Sequence, residues 1–549
     1  MKKLLKYITL PVVCAGLFGS CHKIEVKATT ELTPDVYPKT ADQFISAAGP
    51  AYVALRGNTA TEYFFQQCYS TDEGIMTSHG GNWFDGGQNM QMHYHSWTPD
   101  NGYVNGNWGW ISTIIGVTNQ ELGILGTNMP EGSTKQSALA ELKMVRAFAY
   151  FMFMDNYGNV PIDTSAGDFS PHANVPRAQV FSFIETEIKN AIPYLSTTVS
   201  AATYGRFTAY GAYALLAKLY LNAEYYTGTQ RYNDCIAACD AIISSSKFTY
   251  ATIANYLQMF YPTNGPTAAG SKDEFIFAIP FDAVSSNSFP FRSANYHARY
   301  DVPRSMGSVS AGQGYNFFNI PYTPGGPAST LPEYYAYFND ANDIRNKQWL
   351  TGPQYQKDGV TPIQVVTNRS GYDAVTYPKD TTAYTYNVNL TPNIVLRADP
   401  SSFDVGNDEI AWNMGYRNIK FYPDATSANR NQNNDIPIFR YSDIILMKAE
   451  AILRGGTPTL SQTALGLVNA LRANRTTSAA WLTVTLDNIY AERTREFAWE
   501  GWRRNDMIRF GKYEGTWGFK TNSEAYRRIF PIPTSALALN PKLKQNPNY

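Results

Sequence analysis

Three carboxylates with regular spacing offer the first candidate chemistry. Glu492, Glu496 and Glu500 recur every fourth residue, which on a helix would align them along one face, an arrangement that acid–base catalysis or cation binding can use. Arg493, Arg495, Arg503, Arg504 and Arg509 are interleaved with them. Opposite charges at that density favour ion pairing, so the expectation is a structural network. His93 and His95 would share one face of a strand, and His79 could add a third imidazole for zinc. Their surroundings are Asn, Gly, Gln and Trp, without HExxH-type spacing, so no metal is expected. Glycosidic hydrolysis needs two carboxylates about 5 to 9.5 Å apart. Asp72, Glu73, Asp85 and Asp100 are the candidates, but no repeating strand–helix pattern presents them, and neither a catalytic residue nor a cofactor is assigned.

The aromatic segments carry more information. Asn82-Trp83-Phe84-Asp85 lies between Gly80-Gly81 and Gly86-Gly87, and a ring on so flexible a loop is poorly placed to join a core. An exposed indole can stack on the apolar face of a pyranose while Asn82 and Asp85 exchange hydrogen bonds with its hydroxyls; packing of the loop is the competing role. Trp97, Trp108 and Trp110 are assigned to packing. Further along, Asn295-Tyr296-His297-Ala298-Arg299-Tyr300 and Tyr315-Asn316-Phe317-Phe318 mix rings with hydrogen-bonding groups. Tyr296, Arg299, Tyr300 and Tyr315 read either as a second wall of the same site or as packing within their own layer.

The elements that must position these residues are mainly helices. Ser133 with Gln136 suggests a capping box, followed by Leu139, Leu142, Val145, Ala149 and Met152 at helical spacing until Gly158. Helices are expected after Pro176 as far as Pro193, over 208–226 and 232–244, and again over 442–454 and 461–474. Alanines at 214, 217, 237 and 238 let neighbouring helices pack closely, in the manner of tetratricopeptide hairpins, although the roughly 34-residue consensus of those repeats is not met. The separated pairs imply a solenoid closed by distant sequence. Residues 251–434 are rich in Gly, Pro, Asn, Ser, Thr and Tyr, with short strand-like pieces at 274–280 and 363–367, and read as a packed irregular layer carrying function. A similar loop insertion spans 79–110.

The chain begins with an export signal. Lys2, Lys3 and Lys6 precede an apolar stretch from Tyr7 to Phe18, shorter than the roughly 20 residues of a membrane-spanning helix. Residues 1–20 end in Phe18-Gly19-Ser20 before Cys21, which is similar to a bacterial lipobox. Cleavage there would leave Cys21 as a lipidated first residue, holding the protein to a membrane through residues 21–39 as a tether. The whole chain carries 45 basic and 45 acidic residues, 44% hydrophobic residues and only 16% charged ones. That composition excludes bulk disorder and, without a basic cluster, argues against nucleic acid as a partner. The 39 tyrosines, against 29 phenylalanines and 10 tryptophans, suit a surface that meets sugars or peptides. Cys235 and Cys239, four apart within a helical pattern, read as small buried thiols.

Several runs resemble one family. Val145-Arg146-Ala147-Phe148-Ala149-Tyr150-Phe151 with Tyr157-Gly158-Asn159-Val160-Pro161-Ile162 looks like the N-terminal signature of the SusD/RagB nutrient-binding outer-membrane lipoproteins. The stretches 435–451 and 468–475, the charged run from Glu492 to Arg509, and the closing Phe530-Pro531-Ile532-Pro533, Asn540-Pro541 and Gln545-Asn546-Pro547 follow in the family's order. The resemblance implies a mainly α, tetratricopeptide-like scaffold supporting a loop-rich binding layer, with helical regions over 40–250 and 435–549. It further implies an outer-membrane, lipid-anchored, surface-exposed protein without catalytic activity, which delivers oligosaccharide to a SusC-like TonB-dependent transporter. Peptide is the alternative cargo, as in the RagB branch.

Overall fold

The computed structural model describes residues 40, 43, 46–168, 170–284, 295, 297–308, 313–367, 383–397, 400–427 and 430–549. Cys21, its tether and Tyr296 lie outside the described residues. The architecture is mainly helical, with five two-stranded antiparallel sheets among the described residues. The longest helices, Gly102–Asn128 and Ser133–Tyr157, pack side by side, and Arg177–Ala191 packs on the second of them. Asn101 caps the first by accepting the amides of Tyr103 and Val104. The capping box expected at Ser133 is absent: Ser133 is the first helical residue, and Gly132 precedes it without a side-chain cap. Gly158 ends that helix at φ 72°, where a side chain would be strained.

Ala209–Leu221 pairs with Tyr232–Ile243. Its expected continuation to Tyr226 is broken at Asn222, after which a short turn of helix covers Ala223–Thr227. Tyr441–Leu453 then packs against Tyr232–Ile243 and against Ala464–Arg472, so distant sequence does close the stack. Ala212, Ala214 and Ala217 are fully buried at these contacts. Cys68, Cys235 and Cys239 are buried free thiols. Among the described residues no helix is long and apolar enough to cross a membrane.

The strand anticipated near 274–280 forms as Phe275–Ile279, and its partner is Ile436–Arg440, immediately before the Tyr441–Leu453 helix. Pro437 is tolerated because a two-stranded sheet consists of edges. In the irregular layer, Ile75–Met76 pairs with Ala328–Ser329, and Gln364–Thr367 with Tyr384–Asn387. The segment 79–110 is more regular than a loop insertion: it contains the Gln88–Tyr94 helix and the start of Gly102–Asn128.

The acidic face resolves into a buried ion-pair network. The helix Leu486–Glu496 ends before Glu500, so the three glutamates do not share one helical face, yet they converge on common cations. Glu492 pairs with Arg345 and Arg495, Glu496 with Arg345, Arg440 and Arg475, and Glu500 with Arg440 and Lys420. All of these side chains are at least nine-tenths buried. The interleaved arginines mostly serve other acids: Arg493 joins Asp443 to Asp506, and Arg509 joins Glu450 to Asp506. Asp443 also takes Lys218 at 2.6 Å, which ties three helices together. Burial penalises these carboxylates, but the surrounding guanidinium groups outweigh it, holding Glu492 at about 2 and Glu496 well below the usual range.

Candidate functional site

The Trp83 loop is built on unusual backbone. Gly80, Gly81, Gly86 and Gly87 all have positive φ, and so do Trp83 at 65° and Asp85 at 47°. Positive φ at a tryptophan is uncommon and strained, so other contacts must hold it. His79 and Asn82 exchange backbone hydrogen bonds of 2.8 and 3.2 Å, and the Asn89 amide donates to the Trp83 carbonyl at 3.3 Å. The main anchor is Asp404. Its carboxylate accepts the amides of Gly80 at 3.1 Å and Gly81 at 2.9 Å, the Ser78 hydroxyl at 3.0 Å, and the Gly406 amide at 2.6 Å. Beneath the loop, His79 stacks on Trp412 with ring centres 3.8 Å apart and planes 9° apart.

The Trp83 indole is half-buried. It meets Tyr300 edge-on at 5.5 Å, with the Arg299 guanidinium 5.6 Å from the indole and 5.5 Å from the tyrosine ring. Tyr300 rests in turn on Phe65 at 4.8 Å. Gly325 lets the indole approach the chain: a Cβ at this position would lie 2.7 Å from Trp83 Cζ2 and 3.1 Å from the Arg299 carbonyl oxygen. The Gly325 and Gly326 amides both donate to that same oxygen, which fixes Arg299 relative to Trp83.

Of the residues singled out in the sequence, Trp83, Arg299 and Tyr300 therefore meet, with Asn82 and Asp85 exposed on the same loop. Tyr315 belongs to a neighbouring cluster around Phe318, Ile320 and Tyr322. Asp404, Trp412 and Gly325 escaped sequence reading because each acts on the loop from more than 200 residues away.

Most of the other candidates have engaged or buried side chains. His93 and His95 sit on the Gln88–Tyr94 helix and its C-terminal cap, not on a strand. His93 Nε2 accepts the Phe519 amide at 3.0 Å and His95 Nε2 meets the Ser70 carbonyl at 2.8 Å. Burial holds all three imidazoles below their ordinary range, His93 at about 3. Asp72 is clamped by Arg503, and Glu73 accepts the Trp499 amide at 2.7 Å and the Tyr334 hydroxyl at 3.0 Å. Asp85 and Asp100 are exposed. Trp97 and Trp108 are buried, and Trp110 is half-buried with its indole N–H on the Ala54 carbonyl at 2.8 Å.

A helical stack closed by its own C-terminal region, carrying an irregular ring-bearing face, defines a class of scaffold, and comparison with known proteins specifies it. The profile described as "SusD family" matches residues 273–549, and one described as "Starch-binding associating with outer membrane" matches 38–221. The chain belongs to the SusD family. It is similar to the starch-binding protein SusD of Bacteroides thetaiotaomicron, with 24% identity over 83% of this chain and 80% of that protein. Among solved structures it resembles a laminarin-binding SusD-like protein, with a TM-score of 0.69 and 20% identity over 93% of this chain and 100% of the other. Surface glycan-binding protein A from B. thetaiotaomicron, solved with laminarihexaose, gives a TM-score of 0.67 at 20% identity, covering 93% of this chain and 100% of that one.

Proposed function

We propose that this protein is a non-catalytic, surface-exposed lipoprotein that captures an oligosaccharide on its Trp83 face and passes it to a TonB-dependent outer-membrane transporter. The observation that carries the reading is the convergence of Trp83, Arg299 and Tyr300 on a loop strapped down by Asp404. A rigid ring platform with a few directed polar groups binds at modest entropic cost. The starch and laminarin binding of relatives supports a saccharide cargo. The engagement of Asp72 and Glu73 in structural contacts supports a role without catalysis. Cys21 supplies the lipid anchor, and the affinity suits release, on the order of micromolar.

Titration calorimetry of the soluble body with maltohexaose, laminarihexaose and a wider glycan panel tests the cargo. Trp83→Ala is expected to weaken a detected affinity about tenfold or more, as truncation of a central tryptophan does. An unchanged affinity would remove Trp83 from the site. Co-purification of a peptide mixture in place of any glycan would shift the cargo to peptide. Mass spectrometry of the mature N-terminus tests acylation of Cys21, and capture of a co-expressed transporter tests the handover.

A further inference from the structure

A large cavity lies apart from the Trp83 group and shares no lining residue with it. It has a volume of about 890 Å³ and opens between the Gly49–Thr59 helix, the start of the Ser133–Tyr157 helix and the segment 193–206. That is the size range of small-molecule sites. Its acids are already satisfied. Glu141 receives Arg206 through two hydrogen bonds of 2.9 and 2.7 Å and the Tyr52 hydroxyl at 3.2 Å. Nearby Asp435 accepts the Tyr204 hydroxyl at 2.7 Å and the Phe281 amide at 2.8 Å.

Arg56, which also lines the cavity, is the exception. Its guanidinium makes no hydrogen bond or ion pair with any described residue, and its Nε is buried without a partner. Asp435 and Asp282 act on it only through longer-range attraction, while burial pulls its proton affinity down. A partly desolvated guanidinium with no directly paired counter-charge gains from an anion that reaches it. The planar fork of donors matches a carboxylate best. Around it the lining supplies rings and hydrogen-bonding groups together: Tyr194, which is 48% exposed, and Tyr204 from one side, Gln136 and Ser137 from another. Rings for C–H faces, polar groups for hydroxyls and a lone cation for one carboxylate are the complement of an acidic sugar.

We infer that this cavity is a second ligand site, selective for a saccharide bearing a carboxylate, with Arg56 as the residue that recognises the charge. It goes beyond the Trp83 reading and does not depend on it, so the test uses the Trp83→Ala variant. Calorimetry with trigalacturonate is expected to show binding to Trp83→Ala equal to that of the parent, weakened at least tenfold by Arg56→Gln, partly restored by Arg56→Lys, and weakened by added salt. Ser137→Trp, which fills the cavity while leaving Arg56 in place, is expected to abolish binding and covers the case in which Arg56→Gln fails to fold. Maltotriose and acetate serve as the neutral and sugar-free controls, and neither is expected to match trigalacturonate. The inference is overturned if trigalacturonate does not bind, if Arg56→Gln and Ser137→Trp bind it as the parent does, or if Trp83→Ala alone removes it. Maltotriose binding equally well would also overturn the acidic class, and acetate binding equally well would overturn the saccharide.

Discussion

Removing the Asp404 carboxylate is expected to weaken glycan binding through Trp83 and through nothing else. In the native loop two of its hydrogen bonds, from the Gly80 and Gly81 amides, hold the segment that carries the indole. Hydrogen bonds to a charged acceptor contribute about 1.5 to 3 kcal/mol each, so Asp404→Ala takes at least about 3 kcal/mol from the ordered loop. The His79–Asn82 pair and the Asn89 bond to the Trp83 carbonyl remain, and the positive φ angles at Trp83 and Asp85 favour release once the strap is gone. A ligand's observed affinity falls with the fraction of loops still competent. A full 3 kcal/mol is a factor of about 100; with the residual contacts, a loss near tenfold is expected. Calorimetry on parent, Asp404→Ala, Trp83→Ala and the double variant closes a double-mutant cycle. The Asp404 effect should vanish when Trp83 is already absent, and hydrogen exchange at Gly80 and Gly81 should accelerate in Asp404→Ala. Equal losses in both backgrounds would show that Asp404 acts elsewhere. Faster exchange with unchanged affinity would show that loop order is irrelevant to binding.

Three further outcomes follow from contacts already described. Gly325→Ala places a Cβ within 2.7 Å of Trp83 Cζ2 and is expected to displace the indole, lowering glycan affinity several-fold while leaving the urea midpoint nearly unchanged. Glu496→Gln removes the charge shared by Arg345, Arg440 and Arg475; leaving buried cations uncompensated costs about 3 to 5 kcal/mol, read as a large fall in the urea midpoint. Glu73 has the opposite tendency, since burial raises its carboxyl from 4.5 to about 7 against the Trp499 amide and Arg503. The folded state therefore binds its proton more tightly than the unfolded chain. That contribution is complete below about pH 4.5 and lost as pH rises through 7, amounting to about 3 kcal/mol at most. Glu73→Gln, which keeps an acceptor for Trp499, should flatten the decline of stability between pH 5 and 8; an unaltered slope would contradict the assignment.

What sequence could and could not announce divides along the range of the interactions. The Arg177–Ala191 helix was legible because Pro176, the apolar face of Val180, Phe181, Ile184 and Ile188, and the terminal Pro193 are all local. The Ile436–Arg440 strand was not, since nothing within it declares its partner at Phe275–Ile279 and Pro437 argues against pairing. His93 and His95 show alternation that suits a strand as well as one helical turn. Only the packing of Gln88–Tyr94, closed by His95 in a left-handed conformation at φ 52°, decides between them. Glu492, Glu496 and Glu500 pointed correctly to ion pairing, and Arg495 does pair with Glu492, but most of their cations, Arg345, Lys420, Arg440 and Arg475, lie outside the window in which interleaved arginines could be counted.

The same division explains the proposed binding face. Four glycines around Trp83 are a local signal of a loop, and each of them has positive φ, while the half-buried indole packs against the edge of the core. What turns a flexible loop into a platform is a carboxylate about 320 residues downstream together with a stacked Trp412. A loop of glycines alone would expose its tryptophan at high entropic cost, and a tryptophan locked into the core would meet no cargo. The fold reaches a position between these by clamping the backbone and leaving the ring half-exposed. Preorganisation of this kind limits the ordering cost on binding without adding contacts that would slow release, a balance that suits the proposed hand-over of an oligosaccharide.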